Sequence, residues 1–142
     1  MIALGSDHGG YDLKEEVKKF LLSKNIEFID YGTDNMQSTD YPIYAKKVAN
    51  AIIQGECQKG ILICGTGIGI SITANKVKGI RCALCHDVFS AKATREHNDS
   101  NILAMGARVI GTGLALEVVN AFLESEFSND IRHINRINQI ES

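Results

Sequence analysis

The sequence predicts an α/β protein: a three-layer α/β/α sandwich built on a five-stranded parallel sheet. Two observations carry this. Five short apolar runs, at residues 2–6, 26–31, 60–64, 81–85 and 102–105, are nearly continuous rather than alternating, the pattern of strands covered on both faces. Between them, apolar residues recur at helical spacing, and regular strand–helix alternation gives parallel strands joined by right-handed crossovers. The 142 residues, 44% hydrophobic and 23% charged, suit one domain over residues 1–142 with a substantial core.

The elements follow in order. The chain starts at once as a strand, residues 2–6. Leu13, Val17, Phe20 and Leu21 then fall on one helical stripe. After the second strand, Ala45, Val48, Ala49, Ile52 and Ile53 repeat that pattern. The third strand runs into Gly65-Thr66-Gly67-Ile68-Gly69, which opens a helix. After the fourth, Asp87 is placed to cap a helix carrying Val88, Phe89, Ala91 and Ala93. The fifth strand is followed by a helix bearing Leu114, Val118, Val119 and Phe122. A last helix, about residues 130–140, carries Ile131, Ile134, Ile137 and Ile140.

Fifteen basic against seventeen acidic residues give a net charge of −2, too balanced for non-specific nucleic-acid binding. The apolar runs are too short to span a membrane. The first residues lack the basic and long apolar regions of a secretion signal, so the expected location is the cytoplasm, with Cys57, Cys64, Cys82 and Cys85 as reduced thiols. Cys82-Ala83-Leu84-Cys85 spells a C-x-x-C motif. On a strand, residues three apart face opposite sides, so those thiols should diverge.

In a Rossmann-like sheet the ligand lies at the carboxyl ends of the strands. There the sequence places Ser6-Asp7-His8-Gly9-Gly10, then Cys64 with the glycine loop 65–69, then His86-Asp87, then Gly106-Ala107-Arg108. His97, near the end of the fourth-strand helix, is expected at the same edge. The glycine loop is neither a P-loop, since no Gly-Lys-Ser/Thr follows, nor a dinucleotide fingerprint, since its spacing is G-x-G-x-G after the third strand. Its amides at a helix start suit an anion. Cys64 at its mouth is a candidate base or nucleophile, because a helix N-terminus lowers a thiol pKa. Arg132 and Arg136, four apart on the last helix, share a face and suit a phosphate, or form an ordinary solvated basic face.

With these pieces in place the chain resembles the ribose-5-phosphate isomerase type B family, of the sugar-phosphate isomerase superfamily that includes the galactose-6-phosphate isomerase subunits. The resemblance covers essentially the whole chain. It rests on residues 2–11 (Ile-Ala-Leu-Gly-Ser-Asp-His-Gly-Gly-Tyr), Asp40-Tyr41-Pro42, residues 60–69, Arg95-Glu96-His97-Asn98-Asp99, Asn101-Ile102-Leu103 and residues 106–111, in that order and spacing.

The resemblance implies an aldose–ketose isomerase of ribose 5-phosphate and ribulose 5-phosphate, working through a cis-enediolate without metal or cofactor. It implies Cys64 as the proton-transferring base. Some members carry a Glu just after the loop, where this chain has Ile70. It implies His97 as the ring-opening group, Thr66 as an assistant near the sugar oxygens, and Asp7 as a sugar ligand. The amides of Gly65, Thr66, Gly67, Ile68 and Gly69, with Asn98, would hold the enediolate oxygen. His8, Arg108, Arg132 and Arg136 would take the phosphate. It further implies a homodimer or dimer of dimers with shared sites, the last helix being the arm that packs on the partner subunit. Two alternatives remain at this point: a hexose 6-phosphate substrate such as allose or galactose 6-phosphate, and a non-catalytic nucleotide-binding or thiol-redox domain.

Overall fold

The computed structural model describes residues 1–142. Strands β1 (Ile2–Ser6), β2 (Phe28–Asp30), β3 (Lys59–Cys64), β4 (Cys82–Leu84) and β5 (Ile102–Gly106) form one sheet in the order β2-β1-β3-β5-β4. Every pairing is parallel. The helices are α1 (Tyr11–Ser23), α2 (Tyr41–Ile53), α3 (Ile68–Asn75), α4 (Val88–Asn98), α5 (Thr112–Glu124) and α6 (Ile131–Glu141), with a 3-10 turn at His8–Gly10. No helix is long and apolar enough to cross a membrane.

Strand alternation divides the core in two. Ile2, Leu4, Ile61, Ile63, Leu103 and Met105 face one side, where α1, α4 and α5 bring Leu13, Val17, Leu21, Ala91, Val118 and Phe122. Ala3, Leu62, Cys64, Ile102 and Ala104 face the other, against Ala45, Val48, Ala49, Ile70 and Ala74 of α2 and α3. Both faces of the central strands are thus dry, which explains their unbroken apolar runs.

The edge strands are shorter than expected. The run at 26–31 pairs as strand only over Phe28–Asp30, because the Ile26 N–H turns back to the Leu21 carbonyl at the end of α1. The run at 81–85 narrows to Cys82–Leu84. Both flank only one neighbour and are half-buried, so less pairing extends them. Asp87 caps α4 as expected, its Oδ1 accepting from the Ser90 N–H at 2.6 Å. The last helix spans Ile131–Glu141 and buries no residue.

One device props the outer strand. Lys14, fully buried on α1, donates to both carboxylate oxygens of Asp30 at 2.7 and 2.6 Å, and Lys18 donates to Asp30 Oδ2 at 3.0 Å. Burial alone would raise the Asp30 pKa, but the bonds from Lys14, the Gly32 N–H and Lys18 bring it below the ordinary carboxylate value. Asp30 thereby anchors Gly32, whose carbonyl accepts from the Ser6 N–H, just ahead of Asp7.

Candidate active site

The strand order reverses between β1 and β3: the chain goes outward from β1 to β2, then returns to β3 on the other side. Ligands bind where the carboxyl ends of two such strands diverge. Ser6 is in register with Ile63, so Asp7 and Cys64 leave the sheet side by side.

Asp7 is buried, and its Oδ1 accepts from the Gly10 N–H at 3.1 Å, which ties the 3-10 turn. Within that turn the Gly9 backbone lies beside Gly65. His8 Nδ1 accepts from the Thr39 N–H at 3.2 Å. That bond assigns the proton of a neutral His8 to Nε2, leaving a donor free for a ligand.

Cys64 ends β3, 4% exposed, with its sulfur on the α2–α3 side. The Gly67 N–H donates to its Sγ at 3.1 Å. Gly67 has φ +77°, and a Cβ there would stand 2.7 Å from the Met105 carbonyl carbon, so only glycine turns the chain tightly enough to aim this N–H at the sulfur. The Ile68 N–H goes to Thr66 Oγ1 at 3.2 Å. The amides of Gly69 and Ile70, in the first turn of α3, have no acceptor within the helix. The loop therefore presents positive dipoles beside the thiol, as an anion site requires. The Arg108 N–H donates to the Gly65 carbonyl at 3.0 Å, and its aliphatic stem lies over Gly65, bringing the guanidinium to the same edge.

Two residues that the sequence placed near this edge or within its motifs, but to which it gave no role, contribute here. His86 Nε2 accepts from the Gly106 N–H at 2.8 Å and so braces the end of β5 behind the loop. The Tyr41 ring fills the space where a Gly69 side chain would stand, covering the start of α3. The signal for Tyr41 was present in Asp40-Tyr41-Pro42, since Pro42 in the first turn fixes where α2 starts.

His97 does not face this edge, contrary to expectation. Helix α4 leaves the carboxyl end of β4 at Asp87 and runs back to the opposite edge. There the turn after Asn98 leads into β5, with the Asn101 N–H bonded to the Arg81 carbonyl. At about 3.3 Å per residue, the five residues of β5 alone separate the edges by about 13 Å. Exposed His97 packs its ring 4.5 Å from that of His133 on α6. His133 Nδ1 in turn meets Ser128 Oγ at 2.8 Å. Asn98 is exposed beside His97. On α6 the Arg132 guanidinium is held by Asp130, Nη2 to Oδ2 at 2.8 Å, while Arg136 is exposed and makes no hydrogen bond. The expected residues thus form two clusters: Asp7, His8, Cys64, residues 65–69 and Arg108 at one edge, and His97, Asn98, Arg132 and Arg136 at the other.

The remaining cysteines behave as packing residues. Cys82 borders the α2–α3 core and Cys85 lies in the other, so the thiols diverge. Burial, then the Cys85 charge, pushes the Cys82 thiol up; burial, then Asp87, pushes Cys85 up to about 11. Neither suits thiol exchange at neutral pH. No three His, Cys, Asp or Glu side chains converge as a metal-ligand group.

Residues 2–140 match the family model described as Ribose/Galactose Isomerase. The chain belongs to the ribose/galactose isomerase family. Within this family it is similar to ribose-5-phosphate isomerase B of Escherichia coli, 48% identical over 139 residues that cover 98% of this chain and 93% of that protein. It is 46% identical over 127 residues to the D-erythrulose-4-phosphate isomerase of Pectobacterium atrosepticum, covering 89% of this chain and 84% of that one. The solved ribose-5-phosphate isomerase B of Clostridium thermocellum superposes with a TM-score of 0.97 at 53% identity, over 99% of this chain and 94% of that one. The three-layer architecture read from the sequence is the architecture of these isomerases.

Proposed function

We propose that this member of the family interconverts ribose 5-phosphate and ribulose 5-phosphate through a cis-enediolate. The observation that carries the proposal is Cys64 at the mouth of the glycine loop, accepting the Gly67 N–H at 3.1 Å beside the free amides of α3. Isomerisation needs a base next to a carbonyl and an electrophile for the oxygen that becomes negative. The sulfur, as thiolate, takes the proton from C2 of the open-chain aldose. The C–H electrons form the C1–C2 double bond, the carbonyl charge goes to O1, and the proton on O2 passes to O1, so that the enediolate charge rests on O2. The thiol then returns its proton to C1 while O2 becomes the ketone. The loop amides stabilise the enediolate oxygen, assisted by Asn98, and Thr66 lies beside the sugar oxygens.

His97 opens the furanose by moving the proton of the C1 hydroxyl to the ring oxygen as the bond from C1 to that oxygen breaks. Asp7 binds the sugar. His8, through Nε2, and Arg108, Arg132 and Arg136 bind the phosphate, whose binding energy orients the reacting carbons. Because the two clusters stand at opposite edges of one chain, we propose a homodimer or dimer of dimers. In it, α6 of each chain packs on the other and brings its own chain's His97, Asn98 and arginines over the partner's Cys64. About half-exposed Ile43, Ile68 and Ile72, at 47%, 51% and 55%, give an apolar surface that a second copy would cover. The reading places the enzyme in the cytoplasm, with neither metal nor cofactor.

The test is an isomerase assay in excess chelator on ribose 5-phosphate, allose 6-phosphate, galactose 6-phosphate and erythrose 4-phosphate. The expected result is a clear lead for ribose 5-phosphate. A lead for another sugar moves the substrate and keeps the chemistry. Silence on all four with folded protein removes the proposal.

A further inference from the structure

Arg81 stands just before β4 at the edge far from Cys64, and each of its three guanidinium nitrogens has a partner. Its Nε donates to the Asn98 carbonyl at 2.8 Å, Nη2 to the Asp99 carbonyl at 2.9 Å and Nη1 to Glu141 Oε1 at 2.8 Å. Its backbone N–H is held by Asn101 Oδ1 at 2.9 Å. The two carbonyls belong to the end of α4, where the chain leaves the helix through Asp99 at φ +44°. Carbonyls of a last helical turn lack partners within the helix. Arg95 braces the same turn from the other side, Nη1 to Asp99 Oδ1 at 2.8 Å and to the Ser100 carbonyl at 2.7 Å. A planar fork with five donors can hold two carbonyls and a carboxylate together; an ammonium at this site reaches fewer of them in fixed geometry.

The turn so held follows directly on His97. Glu141 closes α6, the helix of Arg132, His133 and Arg136. Helix α6 fully buries no residue; Ile134 and Ile137 are half-buried, but Ile140, next to Glu141, is 60% exposed, so apolar packing within this chain holds the end of α6 only weakly. Toward its start α6 is tied to α4 by the His97–His133 ring contact and by the Ser128 N–H on the Glu96 carbonyl at 3.1 Å. Toward its end the tie is Arg81 to Glu141.

We propose that Arg81 is a positioning residue for the isomerisation. By clamping the end of α4 to the end of α6, it sets the place of His97 and Asn98 relative to Arg132 and Arg136, so that the groups for ring opening and phosphate capture move as one unit. This rests on the roles assigned under the proposed function. It adds that the unit is rigid and that one guanidinium makes it so.

The experiment compares Arg81→Lys and Glu141→Ala with wild type in the full-length protein. It measures kcat and KM on ribose 5-phosphate, the melting temperature, and the through-space NMR cross-peak between the His97 and His133 rings. In Arg81→Lys the cross-peak is expected to weaken and kcat to fall by about tenfold or more, as misplaced catalytic groups do. In Glu141→Ala the cross-peak is expected to persist while KM rises by about threefold or more, because only the arginine-bearing helix is released. A kcat for Arg81→Lys within about threefold of wild type overturns the proposal, whatever the melting temperature does. If Arg81→Lys does not fold, Glu141→Ala carries the test, and an unchanged KM overturns it. If wild type is silent on every sugar phosphate, the isomerase reading fails instead, and the cross-peak in Arg81→Lys still decides whether the clamp exists.

Discussion

Cys64 and His97 stand at opposite edges of the same sheet. Cys64 ends β3 at the carboxyl edge, while His97 lies in the last turn of α4, beside the start of β5. No side-chain movement spans the length of a strand. A mechanism that uses both therefore needs two chains.

A complementation experiment checks this. Cys64→Ala and His97→Asn should each be inactive alone. When unfolded together in equal amounts and refolded, half the dimers are mixed, and each mixed dimer has one site with both native residues. Activity should recover to about a quarter of wild type for a symmetric two-site dimer. Recovery of nothing places both residues in one chain's site or in none.

Cys64→Ala on its own should lower kcat by about a hundred- to ten-thousandfold, the range for removing a positioned acid–base group. Binding of the phosphorylated sugar, read by calorimetry, should survive. Activity within about tenfold of wild type would take Cys64 out of the base role.

His97→Asn should hurt ribose 5-phosphate far more than erythrose 4-phosphate. The tetrose carries its phosphate on O4, the oxygen that closes a furanose, and so arrives open. Equal losses on the two sugars count against ring opening by His97.

Arg132→Ala and Arg136→Ala should each raise KM by about tenfold with kcat little changed, the size of one lost charge-assisted hydrogen bond. Arg132 is already paired with Asp130, so its loss should be the smaller. A pure kcat effect would place these arginines nearer the reacting carbons.

Asp30→Asn should destabilise the fold by about 2–4 kcal/mol, because it leaves the buried Lys14 ammonium with only the Glu15 carboxylate, 3.7 Å away, as countercharge. Lys14→Met in the same chain should recover much of that loss. The pH dependence has a definite sign. The folded Asp30 pKa is below its ordinary 3.8, so its contribution is present above that value and is lost as pH falls through the lower folded value. Urea unfolding of wild type and Asp30→Asn should therefore converge only in strong acid. Cys85 acts at the other end: its thiol titrates at 9.0 when exposed and at about 11 in the fold, so the stability it contributes is lost as pH rises across that window.

The primary sequence alone determined the layers, the five strands and the glycine loop with Cys64 at its mouth, because these are written locally. Strand runs, helical stripes and a turn that only glycine can make each occupy a few consecutive residues. It also marked Asp7, His8 and Arg108, since strand ends are where such a sheet binds. The edge of His97 was readable in principle, because a crossover helix that leaves the carboxyl edge must return to the other. A position at a helix end does not by itself state that direction. The tertiary structure alone decided what depends on distant pairs. Lys14 finds Asp30 sixteen residues on, and Arg81 gathers Asn98, Asp99 and Glu141 from two helices. His86 braces Gly106, and Tyr41 covers Gly69. Periodicity and propensity describe each segment by itself, whereas these contacts exist only after the sheet order has set which segments meet.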